Sequence, residues 1–238
     1  MRTCILAACL VACTRAPAGT VEETRAPAGP GPIEETRVAG QRCLVQRVGG
    51  ARPGDSVPLI LSLHAMGADP AGALEPFATL RVPALVVAPC GGREDAVGNC
   101  EWFALSDPRG PQDAAVRVLA VAAALPHRGL PVVMGFSQGA VVAFALAHDH
   151  PEAVAAVFPV AGTLPPSTST GPAARRPEVH AFLGEADPVF PLAGVRDAIA
   201  ILRAEGYTAD LRTYPGLAHD LSRTEAADVR AAVEAALR

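Results

Sequence analysis

The chain has 238 residues, half of them apolar, 18% charged and 4% aromatic, with a net charge of −4. Lys is absent and all 20 basic residues are Arg, with no basic stripe to form a nucleic-acid footprint. The length supports one domain of about 200 residues plus extensions, and the composition requires a core of Ala, Val and Leu.

At the amino end, Met1-Arg2-Thr3 precedes the apolar run Cys4–Ala12, a secretory signal too short to span a bilayer. Leu10-Val11-Ala12-Cys13 resembles a bacterial lipobox, whose Cys is lipidated and becomes the first residue of the mature chain. Leu6-Ala7-Ala8-Cys9 also fits, but leaves a shorter apolar run before it, which favours Cys13. The resemblance implies a signal peptide at 1–12 and a membrane partner reached through a lipid anchor. The protein would then sit in the bacterial cell envelope, facing the periplasm or the exterior. An ordinary cleaved signal with incidental cysteines is the alternative. Thr14-Arg15-Ala16-Pro17-Ala18-Gly19 recurs as Thr24-Arg25-Ala26-Pro27-Ala28-Gly29, and Val21-Glu22-Glu23 as Ile33-Glu34-Glu35. Too few copies are present for a solenoid. Residues 13–40 therefore read as a disordered tether rich in Pro and Gly.

From Gln41 the pattern becomes globular, and 41–238 form the expected domain. Arg42–Val48 reads as a first edge strand, Pro58–His64 as a buried strand, Asp69–Leu80 as a short helix and Ala84–Pro89 as another buried strand. Cys90 and Cys100 flank a Gly-rich loop and are expected to pair, which an oxidising exterior permits. Closing so short a loop stabilises by roughly 3 kcal/mol in the chain-entropy account. Cys43 is left over, either free and buried or the true partner of one of them. Gln112–Leu125 reads as a helix, followed by strand Leu130–Met134 and helix Ala140–His150. Strands at Val154–Val160, Val179–Leu183 and Asp210–Tyr214 alternate with helices at Leu192–Glu205 and Thr224–Arg238. Alternation of this kind implies a mostly parallel, doubly wound α/β sheet. Thr163–Pro177 is Pro/Ser/Thr-rich without apolar period, so no large cap domain is expected there.

Gly135-Phe136-Ser137-Gln138-Gly139 joins the strand at Leu130–Met134 to its helix. A serine on such a strand-to-helix turn is held in a strained conformation that pushes its hydroxyl above the sheet edge. Gln138 opens the helix, so its amide points to where an oxyanion would form. Acyl transfer also needs a base and a carboxylate to orient it. Asp187 follows one later strand and His219 the next, giving the order Ser137, Asp187, His219. His148 and His150 lie at the far end of the elbow helix, His127 at a helix–loop junction and His180 within a strand.

Together with that pentapeptide and Ala140, the blocks Leu63-His64-Ala65-Met66-Gly67, Trp102-Phe103, Asp187-Pro188-Val189 and Tyr214-Pro215-Gly216-Leu217-Ala218-His219 resemble the phospholipase/carboxylesterase family of α/β-hydrolases, which includes acyl-protein thioesterases. The resemblance covers about 41–238 and implies an α/β-hydrolase fold. It also implies a serine hydrolase that cleaves small-molecule carboxylic or thio esters with catalytic Ser137, Asp187 and His219. By the same carry-over Met66 supplies the second oxyanion amide and His64 bonds to loop backbone. Trp102, Phe103 and Phe190 are expected to border an open site. The chain departs from the family in having Ala65 after His64, which restricts the oxyanion loop, and Leu183 before Gly184. No metal-ligand spacing or phosphate-cradling loop appears, so neither metal nor cofactor is expected. A non-catalytic tethered binding protein of the same fold, and a peptidase or amidase on the same triad, are the competing readings.

Overall fold

A computed structural model describes residues 29–166 and 173–238. The signal segment and Cys13 therefore lie outside the described residues, as does part of the Pro/Ser/Thr-rich stretch. Eight strands form one sheet: β1 (Ile33–Val38), β2 (Gln41–Val48), β3 (Leu59–Leu63), β4 (Ala84–Pro89), β7 (Val132–Phe136), β8 (Ala156–Val160), β9 (Glu178–Gly184) and β10 (Ala209–Tyr214). Their spatial order is β1-β2-β4-β3-β7-β8-β9-β10, and the two-residue strands β5 (Arg93–Glu94) and β6 (Cys100–Glu101) form a separate hairpin. The pairings β1–β2 and β2–β4 are antiparallel, while the rest of the large sheet is parallel.

The central strands β3, β4, β7 and β8 are buried on both faces, which explains why their sequences are continuous apolar runs. Their side chains still alternate: Leu59, Leu61, Leu63, Leu85, Val87, Val133 and Val157 enter one core layer. Ile60, Val86, Met134, Ala156, Phe158 and Val160 enter the other. Helices α2 (Gly110–Ala123) and α3 (Gln138–Asp149) cover the first layer through Ala114, Ala115, Val118, Val142 and Phe144. The second layer is covered by Phe77 of a 3₁₀ turn (Glu75–Phe77) that follows α1 (Ala71–Leu74), and by Val229 and Val233 of α5 (Arg223–Ala236). Helix α4 (Leu192–Ala204) reaches both, with Ile199 and Leu202 in one layer and Val195 in the other. No helix among the described residues is long and apolar enough to cross a membrane.

Two expectations are corrected. Ile33–Val38, assigned to the tether, forms the edge strand β1, so Arg42–Val48 is an inner strand rather than an edge. Only Val38 of β1 is buried, so the strand has no apolar alternation for a sequence reading to detect. Glu34, Glu35 and Arg37 suit an exposed edge, where charge discourages pairing with another chain. Gly31 is tied as well, its N–H donating to the Arg47 carbonyl at 2.8 Å. Second, the Asp69–Leu80 helix is divided into α1 and the 3₁₀ turn. Asp69 accepts from the Ala71 N–H at 3.0 Å, and Pro76 follows Glu75 at the start of the tighter turn.

The first turn of α5 buries a charge-bearing group. Ser222 caps the helix by accepting from the Glu225 N–H at 3.1 Å. Glu225 itself is wholly buried, and neither carboxyl oxygen meets a hydrogen-bond donor in good geometry. Burial pushes its pKa up to about 7; the nearby Ser222 N–H offsets part of this, and Asp220, Asp187 and Asp228 add to it. Between the ordinary value and about 7 the unfolded chain releases this proton while the folded chain keeps it. Stability from this group is therefore lost as pH rises through that window, by about 3 kcal/mol. Glu225→Gln should melt higher than the native chain at pH 8, by about 5 °C or more, with the gap closing near pH 4.5. A gap that stays constant from pH 4.5 to 8 would show that Glu225 ionises normally.

Candidate active site

The elbow between β7 and α3 is built by backbone meeting backbone. A Cβ on Gly135 would stand 2.2 Å from the Gly139 carbonyl oxygen, and one on Gly139 would stand 2.4 Å from that of Leu63. Only glycine permits β3, β7 and the start of α3 to approach so closely. Between the two glycines Ser137 takes φ 55°, ψ −116°, a strained conformation for a residue with a Cβ. The serine stays partly exposed while nearly all of α3 is buried behind it.

Three loops at the carboxyl ends of β7, β9 and β10 converge here. His219 Nε2 lies 2.9 Å from Ser137 Oγ, and His219 Nδ1 lies 2.8 Å from Asp187 Oδ2. A carboxylate can only accept, so Nδ1 carries the proton and Nε2 is left to accept from the serine hydroxyl. The Asp187 side chain is fully buried, and its Oδ1 accepts from the Val189 and Phe190 N–H groups at 2.7 and 2.9 Å. Those bonds fix the carboxylate as the acceptor that orients the ring. Phe136 stacks on the imidazole with centroids 5.3 Å apart, and Phe190 stands at 5.7 Å on a tilted plane.

The acid and histidine loops are fastened to each other. The Ala186 N–H donates to the Leu217 carbonyl at 2.9 Å, and Gly216 turns the loop with φ +72°. Gly184 lies under this loop: a Cβ there would meet the Leu217 and Ala218 carbonyl oxygens at 2.3 and 2.6 Å.

The other half of the site is the turn after β3. His64 Nδ1 donates to the Ala65 carbonyl at 2.6 Å, while Nε2 accepts from the Gly91 N–H at 3.0 Å. Burial first of all lowers its pKa to about 4, which keeps the ring neutral. Ala65 stays out of the left-handed region, so its Cβ is accommodated, and the following Gly67 takes φ +67° instead. Met66 is 47% exposed at this turn. Gln138, as the first residue of α3, has an N–H with no partner inside the helix.

Among the aromatic residues expected at the border, Phe190 stands beside His219. Trp102 does not border the site: it is wholly buried, stacked on His64 at 4.7 Å, with Nε1 donating to the His64 carbonyl at 2.8 Å. An apolar ring with one polar atom is best satisfied inside, where a carbonyl is within reach. Phe103 is half-buried and lines a separate hollow of about 240 Å³ with Gly92, Asp107 and Arg117. Cys90 and Cys100 form a disulfide, and Cys43 is free and buried, with burial raising its thiol pKa to about 11. Cys90, Cys100 and Glu94 lie close together, but the sulfurs are bonded to each other and Arg42 holds Glu94 at 2.8 Å. That donor set suits an ion pair rather than a metal. Three other histidines are engaged elsewhere: His148 with Glu205, His180 with Asp210 and His127 with the Leu125 carbonyl. The stacking of Phe136, the Gly184 contact and the two-sided hydrogen bonding of the Gln138 side chain were not anticipated. Each depends on segments far apart in the chain, and no local pattern signals them.

The fold is that of the α/β-hydrolases, with Ser137, His219 and Asp187 in hydrogen-bonded series at the carboxyl ends of its strands. Residues 127–237 match the family described as Phospholipase/Carboxylesterase, and all three of these residues lie within that stretch. The match spans 111 of the 238 residues, so it is a likeness of this part of the chain to that family. Among solved structures, the Bacillus cereus carboxylesterase is similar with a TM-score of 0.68 at 17% identity, covering 82% of this chain and 94% of its own. Zea mays acyl-protein thioesterase 2 is similar with a TM-score of 0.66 at 20% identity, covering 87% of this chain and all of its own. At such identities the likeness establishes the fold. No curated protein sequence matches the chain.

Gly184→Ala tests how rigidly the histidine loop is seated. The added methyl must displace Leu217 and Ala218, and His219 with them, so Ser137 labelling by a fluorophosphonate should slow by about 100-fold in a folded protein. Labelling at the native rate would show that the loop yields without moving the imidazole.

Proposed function

We propose that the protein is a serine hydrolase that cleaves carboxylic or thio esters through an acyl-enzyme. The observation that carries this reading is the unbroken series Asp187–His219–Ser137, at 2.8 and 2.9 Å, ending on a strained elbow serine. His219 Nε2 takes the Ser137 proton as Oγ attacks the substrate carbonyl, and Asp187 stabilises the imidazolium that results. The amides of Gln138 and Met66 hold the charge that develops on the carbonyl oxygen. His219 then returns its proton to the leaving alcohol or thiol. A water deprotonated by the same nitrogen releases the acid and restores the serine.

The described part of 163–177 holds no helix that would cover the site, and Phe136 and Phe190 flank His219 at its border. That favours small soluble esters or the exposed ends of larger ones. The lipid anchor belongs to the same proposal: Cys13, at the end of a short apolar run, would hold the domain at the cell envelope. Several acyl chains on one cysteine anchor firmly, at roughly 0.8 kcal/mol for each buried CH₂.

Ser137→Ala should lower turnover of a short-chain p-nitrophenyl ester by at least about 1000-fold and abolish fluorophosphonate labelling, with folding retained. Hydrolysis at the native rate would end the assignment. The mature protein isolated from membranes should begin at Cys13 and carry the mass of its acyl chains. A lipid-free mature chain would refute the anchor.

A further inference from the structure

The stretch from Cys90 to Phe103 contributes nothing to the triad, yet it touches both sides of the oxyanion site. Cys100 pairs with Ala68 in an isolated antiparallel bridge. Its carbonyl accepts from the Gly67 N–H at 2.9 Å, and its N–H donates to the Ala68 carbonyl at 2.9 Å. Gly67 and Ala68 are the two residues that follow Met66. The disulfide joins Cys100 to Cys90 at the end of β4, next to Gly91, whose N–H holds His64 Nε2. A Cβ on Gly91 would stand 2.2 Å from the Glu101 carbonyl oxygen, so the two arms of the loop are packed backbone against backbone. At the other end, the Trp102 N–H donates to Gln138 Oε1 at 2.8 Å, and Gln138 Nε2 donates to the Phe103 carbonyl at 2.8 Å.

One short segment therefore grips the Met66 turn through Cys100 and the Gln138 residue through Trp102 and Phe103. The Met66 side chain, half exposed, offers its own turn little anchorage. Donors stabilise a developing oxyanion only when they are held in place before the reaction, without reorganisation during it. We infer that the disulfide-closed segment 90–103 is the positioning element of the oxyanion site, with Cys100 and the Gln138 side chain fixing the Met66 and Gln138 amides relative to each other. This rests on the serine-hydrolase reading. The histidine and acid loops are fastened to each other by Ala186 and Leu217, while the hydrogen bonds of the segment go to the Met66 turn and to Gln138.

The test compares the native chain with Cys90→Ala/Cys100→Ala and with Gln138→Met, which keeps the amide and removes both side-chain hydrogen bonds. For p-nitrophenyl acetate, kcat should fall by about 10-fold or more in each variant while KM stays within about threefold. The pH at which activity falls on the acid side should not move, because the His219–Asp187 pair is untouched. Affinity for a trifluoromethyl ketone, whose adduct places an oxyanion in the site, should fall by the same factor as kcat/KM. A kcat within about twofold of native in either variant overturns the inference, as does an acid limb that shifts together with kcat, which means general loosening. If the double variant does not fold, Gln138→Met decides, since it leaves the disulfide closed. Should the native chain neither hydrolyse the ester nor take the fluorophosphonate, the serine-hydrolase reading falls and this inference with it.

Discussion

The contact on which the site depends is the seating of the α3 amino end directly against the backbone of β3 and β7. Gly139 presses on the Leu63 carbonyl and Gly135 on the Gly139 carbonyl, at distances no side chain would tolerate. That contact forces the chain through a turn tight enough to put Ser137 in a left-handed conformation. It also aims the first turn of a 12-residue helix at the space above the serine. The strain at Ser137 is of the order of 1–3 kcal/mol, and the burial of nine of the 12 residues of α3 outweighs it.

From that fixed point the remaining parts are aligned by similar close approaches. Gly184 admits the Leu217–Ala218 backbone, and Gly162 approaches Ala140 so closely that a Cβ would stand 2.4 Å from the alanine methyl. Aromatic residues are few, and they serve as fasteners: Trp102 locks His64, Phe136 and Phe190 flank His219, and Tyr207 donates to the Ala147 carbonyl near the end of α3 at 3.1 Å. A core of Ala, Val and Leu suits this arrangement, because small side chains let helices lie close to the sheet.

Two electrostatic environments lie on either side of the site. On the side of the Met66 turn, His64 is neutral through burial and serves as a hydrogen-bond relay between Ala65 and Gly91. Behind the triad Asp187, Asp220, Asp228 and Glu225 are gathered near the first turn of α5. Arg212 holds Asp228 at 2.8 Å, and Tyr214 donates to the same carboxylate at 3.0 Å; burial first of all, and then this carboxylate, push the phenol well above its ordinary range. Burial raises the Glu225 pKa to about 7, which lessens the negative charge beside Asp187 below that pH.

The sequence alone determined the main strands and helices from Gln41 onward except the hairpin of β5 and β6 and the division of the Asp69–Leu80 helix, together with the elbow at Ser137 and the loops that carry Asp187 and His219. These are written in local patterns: apolar runs bounded by turns, a glycine on each side of a serine, and loops that follow strands. The same local logic failed at β1, whose residues carry no apolar period because only Val38 among them turns into the core. It failed again at Trp102, where an aromatic beside a Gly-rich loop gave no sign of facing inward. Only the tertiary structure decided that residues 82 apart share a hydrogen bond, that Ala65 needs no left-handed turn, and that the loop closed by Cys90 and Cys100 holds Gln138. Such facts depend on distances between segments that meet only when the sheet has formed, and no spacing along the chain encodes a distance across it.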